Sequence, residues 1–88
     1  MPWTVKLANE SAKQLKKLPR DHQALLRRRL QEMSEDPFQG DVKPLKGKQW
    51  VGRYRKRAGR YRLIFTVSHQ TRSVEVSAIL LRSEKTYL

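Results

Sequence analysis

The stretch that most restricts how this chain can fold is residues 50–67, Trp50-Val51-Gly52-Arg53-Tyr54-Arg55-Lys56-Arg57-Ala58-Gly59-Arg60-Tyr61-Arg62-Leu63-Ile64-Phe65-Thr66-Val67. It reads as two strands joined at Ala58-Gly59. Successive side chains of a strand point to opposite faces. Arg53, Arg55 and Arg57 therefore share one face, and Trp50, Gly52 and Tyr54 take the other. In the second strand Tyr61, Leu63, Phe65 and Val67 fall together, with Arg62 opposite them. A hairpin of this kind sets several guanidiniums side by side. Like charges on neighbouring strands repel, and a polyanion laid across that face would offset the repulsion.

The distribution of charge points the same way. The net charge is +12, and it is uneven. Residues 1–44 carry nine Lys/Arg against six Asp/Glu, whereas residues 45–88 carry eleven against two. Such asymmetry implies a negative partner: nucleic acid, an acidic protein, or both. The excess lies in strand-like sequence rather than on an amphipathic helix, which argues against a membrane surface. The 88 residues make a single domain, 1–88, and a chain of this size buries only about 60–65% of its unfolded surface. There is no cysteine, so neither a disulfide framework nor a thiolate metal site is available, in keeping with a reducing, cytoplasmic setting. No basic start leads into an apolar run and no stretch reaches 18 apolar residues, so neither a signal peptide nor a membrane span is expected.

The remaining elements follow from periodicity. Trp3 to Leu7 alternates as a strand. Asn9 or Ser11 is a candidate helix cap, and Ala8, Ala12 and Leu15 recur on one helical face. Pro19 ends this helix. A second helix begins between Pro19 and Asp21 and runs to about Glu35, with Leu26, Leu30 and Met33 as its buried stripe and Arg27, Arg28 and Arg29 toward solvent. Asp36-Pro37 stops it. Val42 to Gly47 holds a short edge strand, since Pro44 bars a central one. Ser68 to Arg72 is a polar turn, and Ser73 to Leu81 is a strand apolar on both faces near its end, as suits a central position. The expectation is an α+β domain: an N-terminal strand and an antiparallel helical hairpin packed on a mostly antiparallel four-stranded sheet.

Most catalytic chemistries are excluded by the inventory. The two histidines, His22 on a helix and His69 in a turn, have no evident partner. No cysteine and no histidine pair argue against zinc or thiol chemistry, and no metal or other cofactor is expected. Arginine is a poor general base because it stays charged, but it is a good clamp for phosphate. A cluster of arginines can stabilise the dianionic transition state of phosphodiester cleavage. In RNA the nucleophile, the 2′-hydroxyl, already lies beside the scissile phosphate and needs only orientation.

Tyr54-Arg55-Lys56-Arg57-Ala58-Gly59-Arg60-Tyr61-Arg62-Leu63-Ile64-Phe65 resembles the YRxRxGxYRxxY signature of the RelE/ParE toxin superfamily. Leu45-Lys46-Gly47 resembles the LxG that precedes it, and Ile79-Leu80-Leu81-Arg82 with Tyr87 resembles the closing strand and tail. The resemblance covers nearly the whole chain. It implies a toxin of a type II toxin–antitoxin pair, of the RelE branch that cuts mRNA in the ribosomal A site through 2′-hydroxyl attack and so inhibits translation. It further implies roles for particular residues. Arg53 and Arg55 match residues that activate the nucleophile and hold the phosphate. Arg62 matches the arginine that stabilises the transition state, Arg82 one linked to the leaving group, and Tyr87 a tyrosine that stacks on the RNA. Lys46, Lys48, Lys56, Arg57 and Arg60 are the expected further RNA contacts. Some relatives carry lysine where Arg53 and Arg55 stand and histidine where Leu81 stands, which favours electrostatics over proton transfer here. The bland alternative for Arg62 is an ion pair with Glu75 across strands. Implied partners are mRNA, the rRNA of the ribosome, and an acidic, RelB-like antitoxin that folds on binding. Two other readings of the same chain are a ParE-type protein that inhibits DNA gyrase and a basic RNA-binding module without chemistry.

Overall fold

The computed structural model describes residues 2–47 and 52–81. Along the chain these form β1 (Thr4–Leu7), α1 (Asn9–Lys16), α2 (Arg20–Glu35), β2 (Val42–Pro44), β3 (Arg53–Ala58), β4 (Tyr61–Ser68) and β5 (Ser73–Leu81). The strands make one sheet in the order β1-β5-β4-β3-β2. The α+β class and the mostly antiparallel sheet stand, with the strand count corrected. The sheet has five strands rather than four, and β1 pairs with β5 in parallel, Val5 beside Val74 and Leu7 beside Val76. β2, β3, β4 and β5 are antiparallel to one another in turn. β5 is therefore an internal strand, as its two-sided apolar sequence requires. β2 is the short edge, and Pro44, which lacks an N–H, is its last residue.

The helical hairpin covers one face, and the alternation of the strands decides which side chains meet it. Ala58, Tyr61, Leu63, Phe65, Val74, Val76 and Ile79 from the sheet pack with Leu15, Leu26 and Met33 from the helices. Each fully buried large apolar side chain contributes about 1.5–3 kcal/mol. Leu30 is only partly buried against this core. Among the described residues no helix is long and apolar enough to cross a membrane.

Helix α1 starts differently from the expectation. Its N-cap is Ala8, with no side-chain cap. Ser11 is fully buried instead, and its Oγ lies 2.6 Å from Val76 O and 2.9 Å from Ala8 O. The reason is the length of β1. It accompanies β5 only as far as Val76, and α1 takes over that border of β5 beyond it. Ala8 N–H donates to Val76 O (2.9 Å) and Ile79 N–H donates to Gln14 Oε1 (2.8 Å). Helix side chains thus satisfy backbone groups that a longer β1 would have paired. At the other end of α1, Gln23 Nε2 donates to Leu18 O (2.7 Å) and so closes the turn into α2, which begins after Pro19 as expected.

The β3–β4 hairpin turns through Gly59 and Arg60, flanked by the Ala58–Tyr61 pair. Gly59 has φ +61°, whereas Arg72 is the one non-glycine with positive φ among the described residues. A two-residue loop with positive φ at its first position alone is of the II′ kind, which matches strand twist. The tip also rests on α2: a Cβ at Gly59 would fall 2.7 Å from Leu25 Cδ2. The histidines do have neighbours. His22 Nδ1 lies 2.8 Å from Tyr61 Oη. His69 stacks on Phe38 (6.1 Å between centroids) and meets the edge of Trp3 (5.7 Å).

Candidate functional site

The face of the sheet away from the helices carries the arginines in rows set by strand register. One row crosses the sheet as Arg57, Arg62 and Leu80, with Asp41 at the β2 border, where Arg57 N–H donates to Asp41 O (3.1 Å). The next row is Lys43, Arg55, Ile64 and Ala78. The third is Leu45, Arg53, Thr66, Glu75 and Lys6, in which Leu45 N–H donates to Arg53 O (3.0 Å). Arg53, Arg55, Arg57 and Arg62 therefore share one face. A register shift between Ile64 and Phe65 keeps Ala78 and Glu75 on that same face although three positions separate them.

Burial differs sharply along this array. Ile64, in the middle row, is only 2% exposed. Its cross-strand neighbours are Arg55 and Ala78, and the head of Arg55 is itself withdrawn, its Nη1 closed off from water. The Arg55 side chain is 14% exposed and that of Arg57 is 41% exposed. A single carboxylate spans these two. Asp41 Oδ1 is 3.6 Å from Arg55 Nη1, and Asp41 Oδ2 is 3.4 Å from Arg57 Nε. Glu75 stands opposite Thr66, two rows from Arg62, or about 13 Å along the strands. The register thus moves Glu75 away from the station that a cross-strand pair with Arg62 needs.

Lys56 must be reassigned. It was expected among the RNA contacts, but strand alternation turns it to the helix side, where it is 2% exposed and its Nζ donates to Gln39 O (2.7 Å). Burial holds its pKa below the ordinary lysine value. Glu32 opposes that shift, Arg29 adds to it, and Asp36 opposes it more weakly. Lys46 is exposed after β2, and Arg60 is exposed at the hairpin tip. Lys48, Arg82 and Tyr87 lie outside the described residues. Sequence reasoning missed Asp41, Lys43, Thr66 and Lys6 as members of this face. For Asp41 and Lys43 a signal was present: an edge strand read by the same alternation as the hairpin puts both on one side. Tyr61 and Phe65 are core residues, buried at 5% and 0% exposure. Among the described residues no three of His, Cys, Asp and Glu converge as metal ligands would.

This array of cations on one face of the sheet is suited to hold a polyanion. The family model for the ParE toxin of type II toxin–antitoxin systems (parDE) matches residues 5–86. The chain belongs to the ParE toxin family. This toxin has the fold shared by the RelE, ParE and YoeB proteins. Among solved structures it resembles the toxin–antitoxin complex RelBE2 from Mycobacterium tuberculosis, with TM-score 0.83 and 25% identity over 93% of this chain and 100% of that one. It also resembles the archaeal RelE–RelB complex from Pyrococcus horikoshii, with TM-score 0.80 and 25% identity over 97% and 100%. The isolated RelE toxin of Escherichia coli shares the fold at 21% identity and TM-score 0.76, over 97% of this chain and 89% of that one. None of the curated proteins matches the toxin in sequence.

Proposed function

We propose that this toxin is a ribosome-dependent endoribonuclease that cleaves mRNA in the A site and so inhibits translation in the cytoplasm. The observation that carries this reading is the grouping of Arg53, Arg55, Arg57 and Arg62 on the sheet face that the helices leave open. The substrate supplies its own nucleophile. The 2′-oxygen attacks the adjacent phosphorus, the bond to the 5′-oxygen breaks, and the products are a 2′,3′-cyclic phosphate and a 5′-hydroxyl. The proton lost by the 2′-hydroxyl and the one gained by the 5′-oxygen are exchanged with water. What the protein adds is orientation and charge. Arg53 and Arg55 hold the 2′-oxygen and the phosphate, Arg62 stabilises the extra negative charge of the transition state, and Arg82 does so at the departing oxygen. Tyr87 stacks on the RNA, and Lys46, Lys48, Arg57 and Arg60 bind flanking phosphates. One well-aimed donor to developing charge is worth about 10²–10³ in rate.

The neutralising partner is an acidic, RelB-like antitoxin. The two structures at 25% identity are complexes of a toxin with its antitoxin, and a chain of net charge +12 attracts such a segment electrostatically. The test is to add the toxin to a translating extract and map mRNA ends by primer extension. Cuts in phase with codons are expected, and Arg62→Ala removes them. Intact mRNA overturns the proposal. Binding of RNA without cuts would leave a non-catalytic RNA-binding module. A second reading, supported by the match to the ParE family model, is the inhibition of DNA gyrase that a ParE-type toxin implies. Loss of gyrase supercoiling in the presence of the toxin, with mRNA intact, would select it.

A further inference from the structure

Among the described residues Asp41 is the one acidic residue placed among the arginines of the first two rows, and its geometry is that of a guest rather than a lock. Both contacts to the guanidiniums are long, 3.6 Å to Arg55 and 3.4 Å to Arg57, whereas a tight charge-assisted hydrogen bond runs to about 2.7–2.9 Å. The Asp41 side chain is 43% exposed, so its carboxylate can swing into solvent. Its backbone cannot follow, because Asp41 O accepts from Arg57 N–H at 3.1 Å. Arg55 Nη1, although closed off from water, makes no hydrogen bond. A donor is therefore aimed at this station with its bond still unmade. Lys43 stands beside Arg55 and Arg62 opposite Arg57, so the surroundings stay positive with Asp41 in place.

We propose that the Asp41 carboxylate occupies, in the free protein, the position that an RNA phosphate takes on Arg55 and Arg57. Binding at that subsite is then an exchange of one anion for another. A phosphodiester has the same two charged oxygens as a carboxylate but is not tethered to the β2 border as Asp41 is, so it can close to hydrogen-bond distance and satisfy Arg55 Nη1, while Asp41 turns outward. Two consequences follow. Asp41 weakens binding of any polyanion that cannot make the better contacts, and it keeps the two guanidiniums apart and aimed until such a phosphate arrives. The inference rests on RNA being the ligand of this face, as proposed above, but not on cleavage.

The experiment separates the two. The probe is a labelled 2′-O-methyl RNA oligonucleotide, which lacks the nucleophile and reads binding alone, titrated by fluorescence anisotropy across a salt series. Asp41→Asn binds about fivefold tighter than the wild-type toxin, the upper end for a half-exposed pair. Its plot of log K against log salt is steeper by about 0.7, one additional phosphate on a single strand. Asp41→Glu stays near wild type. With Arg55 and Arg57 both replaced by Gln, Asp41→Asn adds nothing. Asp41→Ser is read in the same way and serves should Asn perturb the β2 border. Unchanged or weaker binding by both neutral variants overturns the inference. So does a gain that survives in full without the two arginines, since Asp41 would then act only through net charge. Absence of mRNA cuts in extract, with the binding pattern intact, removes the nuclease reading and leaves the exchange standing.

Discussion

The two faces of the β3–β4 hairpin are built from the same run of residues and solve opposite problems. On one side Tyr54, Ala58, Tyr61, Leu63 and Phe65 enter the core with the helices; on the other Arg53, Arg55, Arg57 and Arg62 gather cations on the face away from the helices. The sharpest contrast is between consecutive residues. Lys56 and Arg55 are both largely withdrawn from water. Lys56 donates to Gln39 O, and burial lowers its pKa against the opposing charges of Glu32 and Asp36. Arg55 meets a single carboxylate at long range. The comparison teaches that a basic motif is not a basic site. Within one strand, alternation alone assigns one cation to structure and its neighbour to ligand.

The strongest test of this division is Arg62→Ala. It lowers mRNA cleavage in extract by about 100-fold or more while the melting curve stays near wild type. A loss of folding in its place would move Arg62 to the structural side. Phe65→Ala is the converse. It destabilises by about 3–5 kcal/mol in urea titration, and the fraction that remains folded binds RNA normally. Arg55→Met and Lys56→Met then compare the neighbours directly. The first weakens binding to the 2′-O-methyl oligonucleotide by about tenfold, as the loss of a charged hydrogen bond implies. The second leaves affinity within about twofold. Equal losses would erase the distinction between the faces.

Smaller effects refine the helix side. Ser11→Ala costs about 1 kcal/mol by thermal or chemical melting, because Val76 O keeps its bond from Ala8 N–H. The least effect is on pH dependence. Burial lowers the folded pKa of Lys56, so between that value and the ordinary value of about 10.4 the unfolded chain binds more protons than the folded one. Wild-type stability measured against Lys56→Met therefore rises as pH climbs through this interval, by at most about 1.4 kcal/mol per unit. It is flat at lower pH.

What could be read from the residues was whatever has a short period. Alternation in 53–67 sorted the arginines from the core, and the stripe at Leu26, Leu30 and Met33 gave α2. Pairing between distant segments has no such local mark. Nothing in Thr4 to Leu7 says that its neighbour is β5 or that the two run parallel. Ser11 departs from the expected cap for the same reason. Close to a helix start, a serine resembles a cap, and only the limited reach of β1 turns it toward Val76. Asp41 escaped notice because it stands alone in a loop-like stretch and owes its place to the register of β2 on β3. The residues outside the described segments, Arg82 and Tyr87 among them, rest on resemblance alone.

The turn at Gly59 has a consequence for how the toxin meets its target. With the tip of the ribbon seated on Leu25 and its strands held along both borders, the guanidiniums are carried by a stiff frame that is assembled during folding. Little backbone freedom then remains to be lost at the moment of encounter. Capture should be quick and sensitive to ionic strength rather than slowed by rearrangement, and a side chain at position 59, by prising the tip from the helix, would make it slow.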